Sequence, residues 1–239
     1  GAIYKILSQS SKEFTKWLHQ KGFVTDEGRA MKLFTFSKLF FERLKVEKDV
    51  IRASGWSKLL ISTPIDDKII TNIIMGMLNK NFLTLADRLY KTDFIINRVN
   101  LIPYPDFGTT DYIMLSPTTA STMKEINGKL QTYYFRPLDK KLNENLENNL
   151  RNKYKLLKGK DYDGELYISL DNDYLKKRRR RGVSKLITIK RGSSQETKVK
   201  AFICPLKIIG TKEIKQVAYD CGIGEKNSMG FGMIDVANS

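Results

Sequence analysis

The order in which the apolar periodicity changes along the chain constrains its fold more than any single motif does. From Asp111 onward, "DYIMLSP" and "LQTYYFRP" have strand character, and "LDKKLNENLENNLRNKYKLL" has helical spacing with a heavily charged face. Strands follow around "ELYISL", "SKLITIK" and "KVKAFICPLKIIG". "TKEIKQVAYDCG" then reads as a short helix ending at Gly222, and "MGFGMIDV" as a last strand. In outline this is βαββαβ, the ferredoxin-like motif. Upstream, "AIYKIL" and "SSKEFTKWLHQ" are helical in spacing, and Ser10 three residues before Glu13 is a capping box that starts a second helix. "MKLFTFSKLFFERLKV" and "VIRASGWSKLLISTP" read as partner strands, "DDKIITNIIMGMLNK" as a helix, and "FLTLADRLYKTDFIINRVNLIP" as strand again. That order is αββαβ, and one preceding strand would complete a second unit.

The expected fold is therefore α+β, two tandem ferredoxin-like (βαββαβ) domains, with the first strand of the N-terminal domain absent from this chain. Three of the six prolines fall in "IPYPDFGTTDYIMLSP", which reads as the connection between a domain at 1–103 and a domain at 110–239. No internal sequence repeat is visible, so the duplication would be one of structure.

Charge narrows the partners. Lys and Arg number 42 against 26 acidic residues, a net charge of +16, which favours a polyanion, and nucleic acid first. No apolar run reaches the roughly 18 to 20 residues that span a bilayer, so no membrane partner is expected. Two cysteines, Cys204 and Cys221, and one histidine, His19, cannot build a disulfide framework or a His-rich metal centre. No metal and no cofactor are expected. The absence of a signal peptide reads as cytoplasmic.

The stretch "GIGEKNSMGFGMI", residues 222–234, holds four glycines in eleven positions: Gly222, Gly224, Gly230 and Gly232. A dinucleotide loop needs a third glycine where Asn227 stands, and a Walker loop needs a lysine directly after its last glycine. Direction excludes both as well. Nucleotide loops run from strand into helix, whereas this one runs from helix into strand. One alternative is a simple turn in which Gly222 caps the helix in αL conformation and the rest form a hairpin. The other is a backbone surface, with amides exposed between Lys226, Asn227 and Ser228, for the phosphates of RNA or DNA.

The same stretch, in the form G-x-G-x-x-N-S-x-G-F-G, resembles the C-terminal glycine-rich signature of the CRISPR-associated endoribonucleases that process repeat RNA, the sixth Cas family. "MKLFTFSKL", at the other end of the chain, resembles that family's K-x-F-T-F-S strand. The resemblance implies the tandem ferredoxin-like fold. It also implies an endoribonuclease that cleaves CRISPR precursor RNA within repeats without a metal. The RNA 2′-hydroxyl would attack, leaving a 2′,3′-cyclic phosphate and a 5′-hydroxyl. Matching the family's catalytic set puts Tyr4, His19 and Lys32 in that role. In the residues alone, His19 beside Trp17 fits a surface histidine, Tyr4 a core residue and Lys32 a solvated one. Unbroken helix would hold Tyr4 and His19 about 22 Å apart, and the break at Ser10 permits a fold-back. Which of the two is base and which acid is left open. CRISPR repeat RNA is the expected partner, with a multisubunit effector complex or a homodimer as further expectations.

The run "KKRRRRG" carries Lys176, Lys177, Arg178, Arg179, Arg180 and Arg181. It reads either as a solvated loop or hairpin tip, or as an RNA-phosphate patch extended by Arg191, Lys198 and Lys200. Two other functions compete: a non-catalytic RNA-binding subunit of the same fold, and a metal-dependent nuclease. The latter wants clustered carboxylates, and Asp66, Asp67, Asp171 and Asp173 form no convergent set in the sequence.

Overall fold

A computed structural model describes residues 23–24, 30–47, 50–64, 67–86, 90–190 and 192–237. The two helices expected before Lys21 lie outside these residues. The chain forms two compact units, Gly1–Leu33 with Pro64–Asp106, and Phe34–Thr63 with Phe107–Ser239.

In the first unit, Phe23–Val24 pairs antiparallel with Ala30–Met31. The expected helix is present as Asp67–Lys80. Asn81 follows it in the left-handed region, its amide bonded to the Met77 carbonyl at 3.1 Å. The segment expected as one strand is a hairpin, Phe82–Ala86 against Lys91–Ile95.

The second unit opens with β1 (Thr35–Phe36), β2 (Phe40–Glu47), β3 (Val50–Lys58) and β4 (Ile61–Ser62). β1 pairs with β4, and β2 with β3, both antiparallel. The long strand expected from Met31 to Val46 is thus interrupted, and Ser37 is the reason. Its hydroxyl donates to the Lys38 carbonyl at 2.7 Å and accepts from the Leu60 amide at 3.0 Å, a local alternative to continuing the ladder.

Further along come β5 (Asp111–Met114), the hairpin β6 (Ser121–Ile126) and β7 (Lys129–Tyr134), and α1 (Leu142–Lys158). β8 (Tyr167–Leu170), α2 (Asn172–Val183), the hairpin β9 (Ser184–Ile189) and β10 (Thr197–Phe202), and β11 (Leu206–Ile209) follow. The last elements are α3 (Lys212–Cys221) and β12 (Ile234–Val236). The central sheet is antiparallel in the order β8-β11-β5-β12. With α1 between β5 and β8 and α3 between β11 and β12, this is the strand order of a ferredoxin-like βαββαβ unit. The hairpins β6–β7 and β9–β10, together with α2, are insertions into that frame.

One face of the sheet is covered. Tyr112, Met114, Ile168, Leu170, Leu206 and Ile208 are buried, while the alternating Asp111, Ile113, Tyr167, Lys207 and Ile209 are exposed. Over the buried face, α1 lays Leu142, Leu146, Leu150 and Tyr154, and α3 lays Ile214, Val217, Ala218 and Cys221. Both helix ends are built to hold. Gly159 closes α1 in αL conformation with its amide on the Lys155 carbonyl, and the Thr211 hydroxyl caps the Ile214 amide of α3.

The basic run is neither a loop nor a hairpin tip. It is the body of α2, whose first turn is capped by the Asp171 carboxylate accepting from the Tyr174 amide at 2.8 Å. Lys and Arg are good helix formers, so a strong cap suffices to start a helix with no apolar stripe. No helix among the described residues is long and apolar enough to cross a membrane.

Candidate nucleic-acid interface

The glycine-rich stretch leaves α3 and enters β12, and most of it is buried. Gly222, Ile223, Gly224, Asn227, Phe231 and Gly232 lie inside, while Lys226, Ser228 and Gly230 are partly exposed and Met229 is exposed. Gly222 has φ 73° and ψ 165°, a conformation open essentially to glycine alone and outside the αL region, so the helix does not end in the αL cap that one alternative supposes. A Cβ at Gly232 would overlap the carbonyl oxygen of Ile223, whose own amide bonds the Gly232 carbonyl at 2.8 Å. Gly232 also sits at φ 74°, where a side chain is strained. Glycine is required there by backbone packed on backbone.

This changes what the glycines do. The amides of Ile223, Glu225, Met229, Gly230 and Gly232 are spent on the Gly232, Thr119, Lys226, Asn227 and Pro117 carbonyls, at 2.8 Å each. Those amides are not displayed to a phosphate. Among the side chains the loop leaves partly or fully exposed are those of Ser228 and Met229, on a single 3-10 turn (Asn227–Met229), and of Lys226, which precedes it.

A buried cation holds the loop's inner side. The Lys153 ammonium, on α1, donates to the Gly222 carbonyl at 2.7 Å, the Gly224 carbonyl at 2.8 Å and the Asn227 Oδ1 at 2.8 Å. Asn227 Nδ2 in turn donates to the Ile223 and Phe231 carbonyls, both at 3.0 Å. Burial pulls the Lys153 pKa down to about 8, with the neighbouring Cys221 and Glu225 pulling the other way. Burial pushes the Cys221 thiol well above its usual range, which makes it inert as a nucleophile at neutral pH. Glu225 ties the loop to β6, accepting from the Ser121 amide at 2.9 Å and the Ser121 hydroxyl at 2.7 Å.

The two sequence patches from opposite ends of the chain meet here. Thr35, fully buried, donates its hydroxyl to the Phe231 carbonyl at 3.0 Å. The Phe36 ring occupies the space that a side chain at Gly230 would need. Phe231 itself packs with Val199 and Ala201 of β10, flanked by Tyr134, Ile187 and Ile189. Thr119 completes the link, its hydroxyl donating to the Lys200 carbonyl at 2.9 Å. The loop therefore supports the β9–β10 hairpin from beneath, while Lys185, Lys198 and Lys200 on that hairpin are exposed. On α2, Lys176, Lys177 and Arg178 are exposed, and the Arg178 guanidinium lies over the Tyr174 ring with 5.7 Å to its centroid. Arg179, Arg180 and Arg181 continue the same helix.

Of the expected catalytic residues, Tyr4 and His19 lie outside the described residues, as does Arg191 of the expected patch. Lys32 is exposed. The carboxylates of Asp171 and Asp173, weighed for a metal, have other work: Asp171 caps α2, and Asp173 pairs with Lys176 at 3.5 Å. Among the described residues no three His, Cys, Asp or Glu side chains stand together to hold a metal ion. Thr35 and Glu225 fall within the two signature patches but carry no role legible there, and Lys153 and Lys185 lie outside both. The signal for Lys153 is its position, since Leu142, Leu146, Leu150 and Lys153 follow one helical face.

Comparison with known proteins agrees across the whole length. Residues 102–236 match the family described as CRISPR associated protein Cas6, C-terminal, and residues 1–100 match CRISPR-associated protein Cas6, N-terminal. The chain is 30% identical over 236 residues to CRISPR-associated endoribonuclease Cas6 1 of Methanocaldococcus jannaschii, covering 98% of this chain and 82% of the relative. It is 25% identical over 243 residues to CRISPR-associated endoribonuclease Cas6 of Pyrococcus furiosus, covering 99% and 80%. A solved structure described as CRISPR associated protein Cas6 superposes with a TM-score of 0.74 at 26% identity, covering 99% of this chain and 89% of the other.

Proposed function

Because the chain belongs to the Cas6 family of CRISPR-associated proteins, we propose that it is an endoribonuclease that cuts CRISPR precursor RNA within its repeats. The relatives from M. jannaschii and P. furiosus carry the name endoribonuclease. The observation that carries the reading in this chain is the junction of its two signature patches. Thr35 and Phe36 lock onto Phe231 and Gly230, and that junction supports the hairpin bearing the exposed Lys185, Lys198 and Lys200. Adjacent cations of this kind suit a phosphate backbone and carry little base information of their own. The functional halves we assign are 1–103 for cleavage and 110–239 for RNA binding.

For the chemistry we assign metal-independent transesterification. The 2′-hydroxyl beside the scissile phosphate loses its proton to a base and attacks phosphorus. The bond from phosphorus to the 5′-oxygen breaks, and an acid returns a proton to that oxygen. His19 and Tyr4 fill the base and acid roles, and Lys32 stabilises the charge that builds on the phosphorane. Lys226 and Ser228 at the loop's outer turn, with Lys176 to Arg181, hold the RNA. In this scheme the buried glycines shape the loop rather than touching the strand.

A single-turnover assay on labelled repeat RNA in excess chelator tests the scheme. Wild-type protein should cut, and His19→Ala should bind equally well but cut about 10²- to 10⁴-fold more slowly, the usual contribution of a general acid or base. Binding without cleavage by the wild type would leave an RNA-binding subunit instead. Cleavage abolished by the chelator would indicate a metal nuclease.

A further inference from the structure

α1 carries most of its charges toward solvent, yet Lys153 lies on its apolar face and is fully buried. Each of its three N–H groups has an oxygen acceptor within 2.8 Å, all on the glycine-rich loop. A buried ammonium is a poor choice for stability alone. An apolar side chain of similar volume fills such a space without losing hydration. What the ammonium supplies is geometry. It clamps Asn227, and Asn227 clamps the carbonyls on either side of the turn, those of Ile223 and Phe231. Between them Lys226 stands at φ 58° and ψ 29°, a left-handed conformation that a non-glycine residue keeps only when its surroundings impose it. The Met229 and Gly230 amides close the turn on the Lys226 and Asn227 carbonyls.

We propose that Lys153 is a positioning residue for RNA binding, which through Asn227 fixes the left-handed turn that presents Lys226 and Ser228 to the phosphate backbone. The inference rests on the reading that this turn touches RNA. It does not place Lys153 itself against the strand. It assigns a function to a residue that otherwise belongs to the core.

The test is a double-mutant cycle on repeat-RNA affinity, using Lys153→Met, Lys226→Ala and the pair, with folding checked by circular dichroism. Each single change is expected to weaken binding about tenfold, and the pair hardly more than either alone, because residues acting through one element are not additive. A purely structural role for Lys153 would instead multiply with Lys226→Ala, to about a hundredfold. Multiplying effects, or full affinity in Lys153→Met, would overturn the inference while leaving the turn as an RNA-binding element. Full affinity in Lys226→Ala would overturn the reading on which it rests. If Lys153→Met does not fold, Asn227→Ala replaces it in the cycle, since that change keeps the ammonium's two backbone bonds and removes the clamp.

Discussion

The Thr35 hydroxyl and the Phe231 carbonyl, 196 residues apart in sequence, are joined by a buried 3.0 Å hydrogen bond. One belongs to a two-residue strand near the start of the chain and the other to the loop before its last strand. Thr35→Val keeps the shape and removes the donor, leaving the Phe231 carbonyl with only the Asn227 side-chain amide. Because the carbonyl keeps that second donor, we expect a loss of about 0.5–1.5 kcal/mol, the usual net worth of one hydrogen bond, read as a lower urea midpoint at unchanged slope.

Gly232→Ala should be worse. It places a methyl group on the Ile223 carbonyl and a side chain at φ 74°. Strain of this kind costs on the order of 1–3 kcal/mol before the overlap is counted. Denaturant unfolding should show the loss, and repeat-RNA affinity should fall with it, because the turn bearing Lys226 and Ser228 is closed from the same backbone.

Salt dependence separates the cations of α2 from the loop. If Lys176, Lys177 and Arg178 each meet a phosphate, replacing all three by Gln should flatten the plot of log affinity against log salt. The slope should fall by about 0.7 to 0.9 for each phosphate that is no longer neutralised. An unchanged slope would remove α2 from the interface.

Lys153 makes a signed prediction about pH. Its folded-state pKa is depressed to about 8 by burial, below that of an unfolded lysine near 10.4. Between those values the unfolded chain holds a proton that the folded chain has released, so stability rises with pH across that window. Below pH 8 both states are protonated and the cost of burying the charge is constant. Urea midpoints should therefore climb between about pH 8 and 10 in the wild type, by more than in Lys153→Met, all other groups being common to both proteins.

Much of the second unit is legible in sequence because its helices pack on one face. The spacing Leu142, Leu146, Leu150 and the run Ile214, Val217, Ala218, Cys221 point to α1 and α3 directly. α2 is not legible that way. With almost no apolar residue to set a period, it depends on the Asp171 cap and on the helix propensity of its own cations. The break at Ser37 is invisible too, since a hydroxyl that bonds the chain's own backbone looks like any polar residue in an alternating strand. The glycine loop stands where its sequence places it, between a helix and the last strand, and the Gly230 and Gly232 amides are bonded within the protein rather than displayed. Gly232 is required by the Ile223 carbonyl packed against it, not by a phosphate. Lys153 is one of three lysines in the last turns of a charged helix, and only its register on the apolar face distinguishes it.

The central claim is that RNA's own 2′-hydroxyl, with no metal, is the nucleophile. Mass spectrometry of the fragments produced in excess chelator, from repeat RNA with and without a single 2′-deoxy sugar at the cut, addresses it directly. Unmodified RNA should yield a 2′,3′-cyclic phosphate and a 5′-hydroxyl, and the deoxy substrate should bind but stay intact. Cleavage of the deoxy substrate, or fragments ending in a 5′-phosphate, would contradict it.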